Sequence, residues 1–408
     1  MSFQTFGFVV ALVWVLTNQA SGQTLAPFKS TDTQYQPISL GVYIAEVNEK
    51  NASIKSRKLS SDSALSVAEQ AGMPHLSPIL TYARGSIYTQ APYSGYSNPA
   101  SNTLGATVTV EGWGKRSARE AHARAEANRQ MAEMVNESRN VETQAIFGYI
   151  DALRTKLLWQ SYQSAIDGLG SFRTSNVNQY KTEFLSAQKV LSNDLKFYSY
   201  GLMNFTNDHD RQLPLPLGTL NIAPQDFKVN DLIAKAQGSR TDLLTNQASL
   251  ESASSNLELV KANRNVDFLP GVYYNQTPSY SSGGQPYGAQ QSVTFLLSVP
   301  LGNGFVDNSD VTSAVNSLTE QELNLASTKT KIVTEINQTF LQYESTKERL
   351  IKANNAYTQA SNRKMSSIQG LINFRDAEYE LIDARTVHAK TLILLQRLSG
   401  NFEVPNLN

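Results

Sequence analysis

Few residues in this chain have the type and spacing that chemistry requires. The four histidines, His75, His122, His209 and His388, lie far apart, and no two are at metal-ligand spacing. Asp208-His209-Asp210 has ligand-type side chains, but it sits in a proline-rich connecting stretch and reads as a solvated turn. Gly114-Lys115 is not a phosphate loop, because Arg116 follows where a Ser or Thr hydroxyl is needed and the upstream glycine is missing. Gly302-x-Gly304 lacks the third glycine of a dinucleotide loop. There is no Gly-x-Ser-x-Gly elbow and no His-Glu-x-x-His pair. With 0 cysteines, thiolate nucleophiles, disulfides and a lipid-bearing N-terminal cysteine are all excluded. The sequence therefore offers no catalytic residue, metal site or cofactor site.

The charge balance of the chain excludes a polyanionic partner. The chain has 408 residues, with 35 Lys+Arg against 35 Asp+Glu and a net charge of +0. Charged residues make up 17%, below the roughly 25% of an ordinary soluble domain. Ser, Thr, Asn and Gln supply the polarity instead. Phe6 to Leu16 is an unbroken apolar run, too short to span a bilayer and of the length of a secretory core, with Ala20 and Gly22 as small residues before a cut. Residues 1–22 are thus expected to be a signal peptide for export. No later stretch has the length and apolarity of a spanning helix, so any membrane segment must consist of strands.

The remainder reads as one pattern written twice. Repeat 1 covers 23–206: a helix from about Ser39 to Gln70, strands at 76–88 and 103–111, a long helix at 115–167 and a returning helix at 174–201. A linker follows at 207–226. Repeat 2 covers 227–400: a helix from about Val229 to Asn265, strands at 268–276 and 291–300, a long helix at 309–366 and a returning helix at 372–399; 401–408 is a tail. Leu104, Ala106, Val108 and Val110 alternate with Gly105, Thr107, Thr109 and Glu111. Val293, Phe295, Leu297 and Val299 alternate with Ser292, Thr294 and Ser298, with Leu296 the exception. Such period-two alternation marks a strand with one apolar and one wet face. Each long helix would run about 80 Å, too long for a globule of this chain length. Its apolar residues, such as Phe147, Ile150, Leu153 and Leu157, recur at three- and four-residue spacing for neighbouring helices. Charges such as Arg116, Arg119, Glu120, Arg124 and Glu126 read as i,i+4 pairs on a solvated face. Membrane barrels need at least about eight strands, so four per chain must be completed by other copies.

The order of elements, with Leu269-Pro270 opening a strand, Ser298 to Gly304 between strand and long helix, and Asp383-Ala384-Arg385 through Leu395-Gln396-Arg397-Leu398-Ser399-Gly400 near the end, resembles the TolC family of outer-membrane efflux proteins over nearly the whole exported chain. The resemblance implies an α+β membrane protein. Long α-helical hairpins form a periplasmic α-barrel, and four amphipathic strands per chain contribute to a trimeric 12-stranded β-barrel in the Gram-negative outer membrane. It implies a homotrimer that meets a periplasmic adaptor and an inner-membrane transporter, serves tripartite efflux or type I secretion, and performs no catalysis. Both hairpins are shorter than the family's. Gly168, Leu169, Gly170, Gly370 and Leu371 correspond to its adaptor-contacting tips, the glycines being expected to permit the turns. Arg375 and Asp376 fall near its pore entrance, with Asp383 later in the helix body. Tyr88, Tyr93, Tyr96, Tyr280 and Tyr287 fit its outer loops and aromatic girdle. The alternative is a periplasmic or surface coiled-coil protein without a barrel.

Overall fold

A computed structural model describes residues 35–75, 78–86, 100–172, 176–282, 285–300, 308–363, 367–402, 404–405 and 407. The leader, and the family-like Leu301 to Gly304, lie outside them. Two helices dominate: α3 (Lys115–Leu169) and α7 (Ser309–Ser361), of 55 and 53 residues. At 1.5 Å per residue each is about 80 Å long. Neither contains a proline, and Gly114 starts α3 from the left-handed region at φ 83°. Along α7 the buried Ile332, Ile336, Thr339, Tyr343, Thr346 and Leu350 keep the three-four rhythm of one packed stripe.

Each long helix carries two shorter ones, placed end to end. α2 (Ala52–Ala71) and α4 (Val177–Thr206) lie along the two halves of α3. α6 (Thr241–Ala262) and α8 (Ile368–Leu398) do the same for α7. α6 and α8 also pack on α3, which joins the two repeats. Upstream of α2 and α6 the single expected helices are each broken. α1 (Leu40–Lys50) ends at Asn51, whose side chain accepts from the Ser53 and Ile54 N–H groups and caps α2. α5 (Val229–Ser239) ends at Arg240, which pairs with Asp242 and Glu335. The linker also holds structure: β4 (Leu213–Pro216) pairs in parallel with β1 (Tyr35–Ile38). This girdle encloses the largest core, around Tyr43, Ile146, Tyr149, Ile150, Leu153 and Leu202.

The main sheet is β2 (Ile79–Ser86), β3 (Ala100–Thr107), β5 (Leu269–Thr277) and β8 (Gln290–Ser298), antiparallel throughout and in the order β2-β3-β5-β8. A short hairpin of β6 (Tyr280–Ser282) and β7 (Gln285–Tyr287) links the last two. Each main strand runs into one helix, so the helices nearest the sheet follow the same order, α2-α3-α6-α7. β3 stops at Thr107, short of the expected 111; beyond it Val108 donates to the Pro270 carbonyl and Val110 bridges Phe268. There Gly112 presses on Val266, where a Cβ would lie 2.4 Å from the carbonyl oxygen.

Candidate functional site

The register sorts the sheet's side chains into two chemically distinct faces. Tyr82, Leu104, Tyr274 and Val293 form one row across all four strands, and Leu80, Ala106, Val272 and Phe295 the next. These apolar side chains are bare: Leu80 is 79% and Phe295 82% exposed. The opposite face carries Thr81, Gly105, Tyr273 and Thr294, then Ala83, Thr103, Asn275 and Ser292. Thr103 donates to Asn275 at 2.7 Å, a side-chain bond across strands. The Tyr273 ring covers Gly105, where a Cβ would fall 2.2 Å from it. Leu296, the break in the alternation, points to this polar face, opposite Gly271.

Where sheet meets helices, charges appear together. Lys115 pairs with Asp267 at 2.8 Å, Arg264 with Asp310 at 2.5 Å, and Arg119 with Glu111. The Arg119 bond holds the Glu111 carboxyl below its ordinary range. Trp113 stands 88% exposed on this junction, its carbonyl accepting from Asn265.

Midway down, two tyrosines in equivalent repeat positions clamp the girdle. The Tyr149 hydroxyl lies 2.9 Å from the Ile38 carbonyl and 2.7 Å from that of Leu217, and accepts the Leu217 N–H. Burial pushes its phenol up to about 12. The Tyr343 hydroxyl accepts the Gln225 N–H at 2.8 Å and donates to the Gln225 carbonyl. His388 lies against the Tyr343 ring, 1% exposed, and its Nε2 has no hydrogen-bond partner among the described residues.

The far end is a second assembly of contacts between the repeats. Ala165, Ile166 and Leu169 of α3, Phe184 of α4 and Leu371 of α8 form one apolar cluster. The Arg375 guanidinium lies 4.9 Å from the ring centres of both Tyr162 and Phe184, donates to the Tyr162 hydroxyl at 2.6 Å and pairs with Asp376. Higher up, Asp383 of α8 accepts from Arg154 of α3 at 2.9 Å and from Arg349 of α7 at 2.8 Å. Arg349 also reaches Glu380, and Arg154 the Tyr379 hydroxyl.

No protein-family model and no curated protein matches the sequence. Solved structures do. The outer membrane protein VceC of Vibrio cholerae is 14% identical with a TM-score of 0.62, the match covering 89% of this chain and 96% of that one. The CmeC outer membrane channel of Campylobacter jejuni is 14% identical, TM-score 0.63, over 94% and 92%. The MtrE outer membrane channel of Neisseria gonorrhoeae, solved in its open state, is 13% identical, TM-score 0.59, over 89% of each. The chain has the fold of bacterial outer-membrane channels. This is the TolC-like architecture that the sequence resemblance implies, with long hairpins, four amphipathic strands and an internal repeat.

Within this channel fold the residues singled out from sequence fall in several places. Leu169 and Leu371 pack together at the tip with Gly168 beside Leu371, Gly170 ends α3 there, and Gly370 lies in the first turn of α8. The glycines do not serve the turns as expected. Gly168 is helical and Gly170 has φ −62°, a backbone any residue adopts. Gly168 matters for space instead, since a Cβ would sit 3.1 Å from Leu371. Arg375 packs inward at the tip, and Asp376 is its exposed partner. Tyr280 and Tyr287 are backbone partners in the β6–β7 register; Tyr88, Tyr93 and Tyr96 lie outside the described residues. Of the proposed helical ion pairs near the start of α3, Arg124–Glu120 forms, whereas Arg119 reaches back to Glu111. Among the described residues no three His, Asp or Glu gather as a metal site, and no helix is long and apolar enough to cross a membrane. Sequence reasoning missed Tyr82 and Tyr274 on the apolar face, although the same alternation would have found them. It also missed Arg154 and Arg349, for which no local signal exists.

Proposed function

We propose that this chain is one third of a passive exit duct in the Gram-negative outer membrane. The observation that carries the reading is the four-stranded sheet itself. One face is apolar and bare, the other polar, and β2 and β8 are edges. Such a sheet is stable in lipid only when its edges are paired in a closed barrel. Three identical copies, β8 of each against β2 of the next, supply twelve strands, which satisfies the minimum of about eight. The helices continue the same staves into the periplasm as a tube wall. A coiled-coil scaffold without a barrel would leave Leu80, Tyr82 and Phe295 in water at a cost of about 25 cal/mol per Å².

The tube would take cargo from an inner-membrane transporter through a periplasmic adaptor, in tripartite efflux or type I secretion. The duct makes and breaks no covalent bond. The tips around Gly168, Leu169, Gly170, Gly370 and Leu371 are its adaptor-facing end, and Arg375 with Asp376 borders the entrance. The full chain, extracted from outer membranes in detergent, should have the mass of a trimer and conduct ions in planar bilayers. A monodisperse monomer in buffer without detergent refutes this reading. Asp376→Ala should change conductance and cation preference; if both stay as in the parent, Asp376 is not part of the entrance.

A further inference from the structure

The polar face of the main sheet carries no charge. From the Gly85–Ser101 pair to the Leu269–Ser298 pair, its side chains are hydroxyls, amides, small residues and a few apolar ones, with the Tyr273 phenol among them. The one charged residue of the four main strands is Arg84. The register puts it on the apolar face, in a row with Asn102, Gln276 and Gln291.

The first charges on the polar face stand at its helix-side end. Pairing runs on past β3, where Val108 donates to the Pro270 carbonyl, and Val110 and Phe268 exchange both backbone bonds. The two-residue alternation therefore extends to Glu111 on one strand and Asp267 on the other, on the side of Thr107 and Tyr273. Each acid meets a base from the start of α3. Lys115 donates to Asp267 at 2.8 Å, the same oxygen accepts the Gly112 N–H at 2.8 Å, and Arg119 pairs with Glu111. All four side chains keep between 14% and 29% of their surface open to solvent.

The helix agrees with the sheet about direction. Lys115, Arg119, His122 and Glu126 recur at intervals of four, three and four, one line along α3. At about 100° per residue, Ile146 and Leu153 lie about half a turn round the helix from Arg119. Those two belong to the core under the girdle. A girdle inside a tube would fill its bore, so it packs on the outer side of the wall, and the Lys115–Arg119 line faces the bore.

We infer that these two pairs form a charge-balanced collar where barrel meets tube, which makes the exit of the duct indifferent to the sign of an ion. Three copies set three Lys115–Asp267 and three Arg119–Glu111 pairs round the bore. Each pair cancels at a distance, whereas a ring of single charges selects ions by sign. The exit then passes anionic and cationic cargo alike, and discrimination by charge is left to the periplasmic end. The inference rests on the trimeric duct reading and adds to it the residues that set the electrostatics of the exit.

A twelve-stranded barrel brings such side chains to about 10 Å from its axis. Three unpaired charges at that distance, screened by about 0.1 M salt, enrich the counterion about twofold on the axis and deplete the co-ion as much. The cation-to-anion permeability ratio thus moves about fourfold; at about 1 M salt, with a screening length of about 3 Å, the shift vanishes.

Reversal potentials of the full-length trimer in planar bilayers under a salt gradient read this ratio. Lys115→Gln should raise it about fourfold, Asp267→Asn should lower it as much, and the double variant should return it to the parent's value. Glu111→Gln frees the Arg119 charge and should lower the ratio too; Arg119 keeps its bonds to the Ala71 and Met73 carbonyls, so this variant decides the matter if the others fail to assemble. Arg124→Gln removes a charge on the opposite side of α3 from Lys115, nine residues on, and should change nothing. Assembly is checked by the trimer's mass in detergent. An unchanged ratio in the assembled single variants, or an equal shift from Arg124→Gln, overturns the collar and leaves the duct reading standing. A parent chain that conducts no ions overturns the duct reading itself.

Discussion

Replacing Asp383 by asparagine should open the duct at its periplasmic half. Asp383 is the one carboxylate among the described residues that both Arg154 of α3 and Arg349 of α7 reach, so it ties the first hairpin to the second. Arg154 and Asp383 are 26% and 24% exposed, a partly buried pair worth about 1 kcal/mol. Arg349 is 45% exposed, and solvent screening leaves its pair about 0.5 kcal/mol. Each chain therefore loses about 1.5 kcal/mol and a trimer about 4.5 kcal/mol. At about 1.4 kcal/mol per decade, the closed-to-open ratio falls roughly a thousandfold. A duct open about 0.1% of the time would become open about half the time. Single-channel recording in planar bilayers reads this as a rise in open probability, and the asparagine keeps the side chain's volume. An intact trimer with the parent's open probability would refute the idea that these bonds hold the hairpins closed.

Phe295→Lys puts an ammonium on the bare face of β8 and should cost about 2–4 kcal/mol if that face meets lipid. The yield of folded trimer in outer membranes should drop, whereas Thr294→Lys, on the opposite face, should leave it nearly unchanged. Tyr149→Phe leaves the buried Leu217 carbonyl without its hydroxyl donor and should lower stability by about 1–3 kcal/mol, read as a lower thermal midpoint. Burial, with Lys347 nearby, holds the His388 imidazole below its ordinary 6.5. Between that depressed value and 6.5 the unfolded chain binds a proton that the folded chain refuses, so stability falls as pH drops through this window. His388→Gln should flatten the acid-side fall of the thermal midpoint; an unchanged profile would remove His388 as its cause.

The sequence alone determined the elements whose signals are local. Period two in Leu104 to Val110 and Val293 to Val299 follows from strand geometry, and long proline-free runs from helix geometry. Both depend only on neighbours along the chain. The doubled order of these signals was legible for the same reason, and it led to the fold the structure has. Contacts between distant segments were not legible. Asn51 and Arg240 interrupt helices through bonds to Phe205 and Glu335, neither of which is nearby in sequence. Gly168 looked like a turn residue and is a spacer, because Leu371 arrives beside it from the other repeat. Arg154 and Asp383 are brought together only when α8 lies on α3. The interleaved order β2-β3-β5-β8 likewise sets which strands are edges, and so which surfaces await another copy. Periodicity fixes the face a side chain takes on its own element, while packing of the whole chain decides what that face meets.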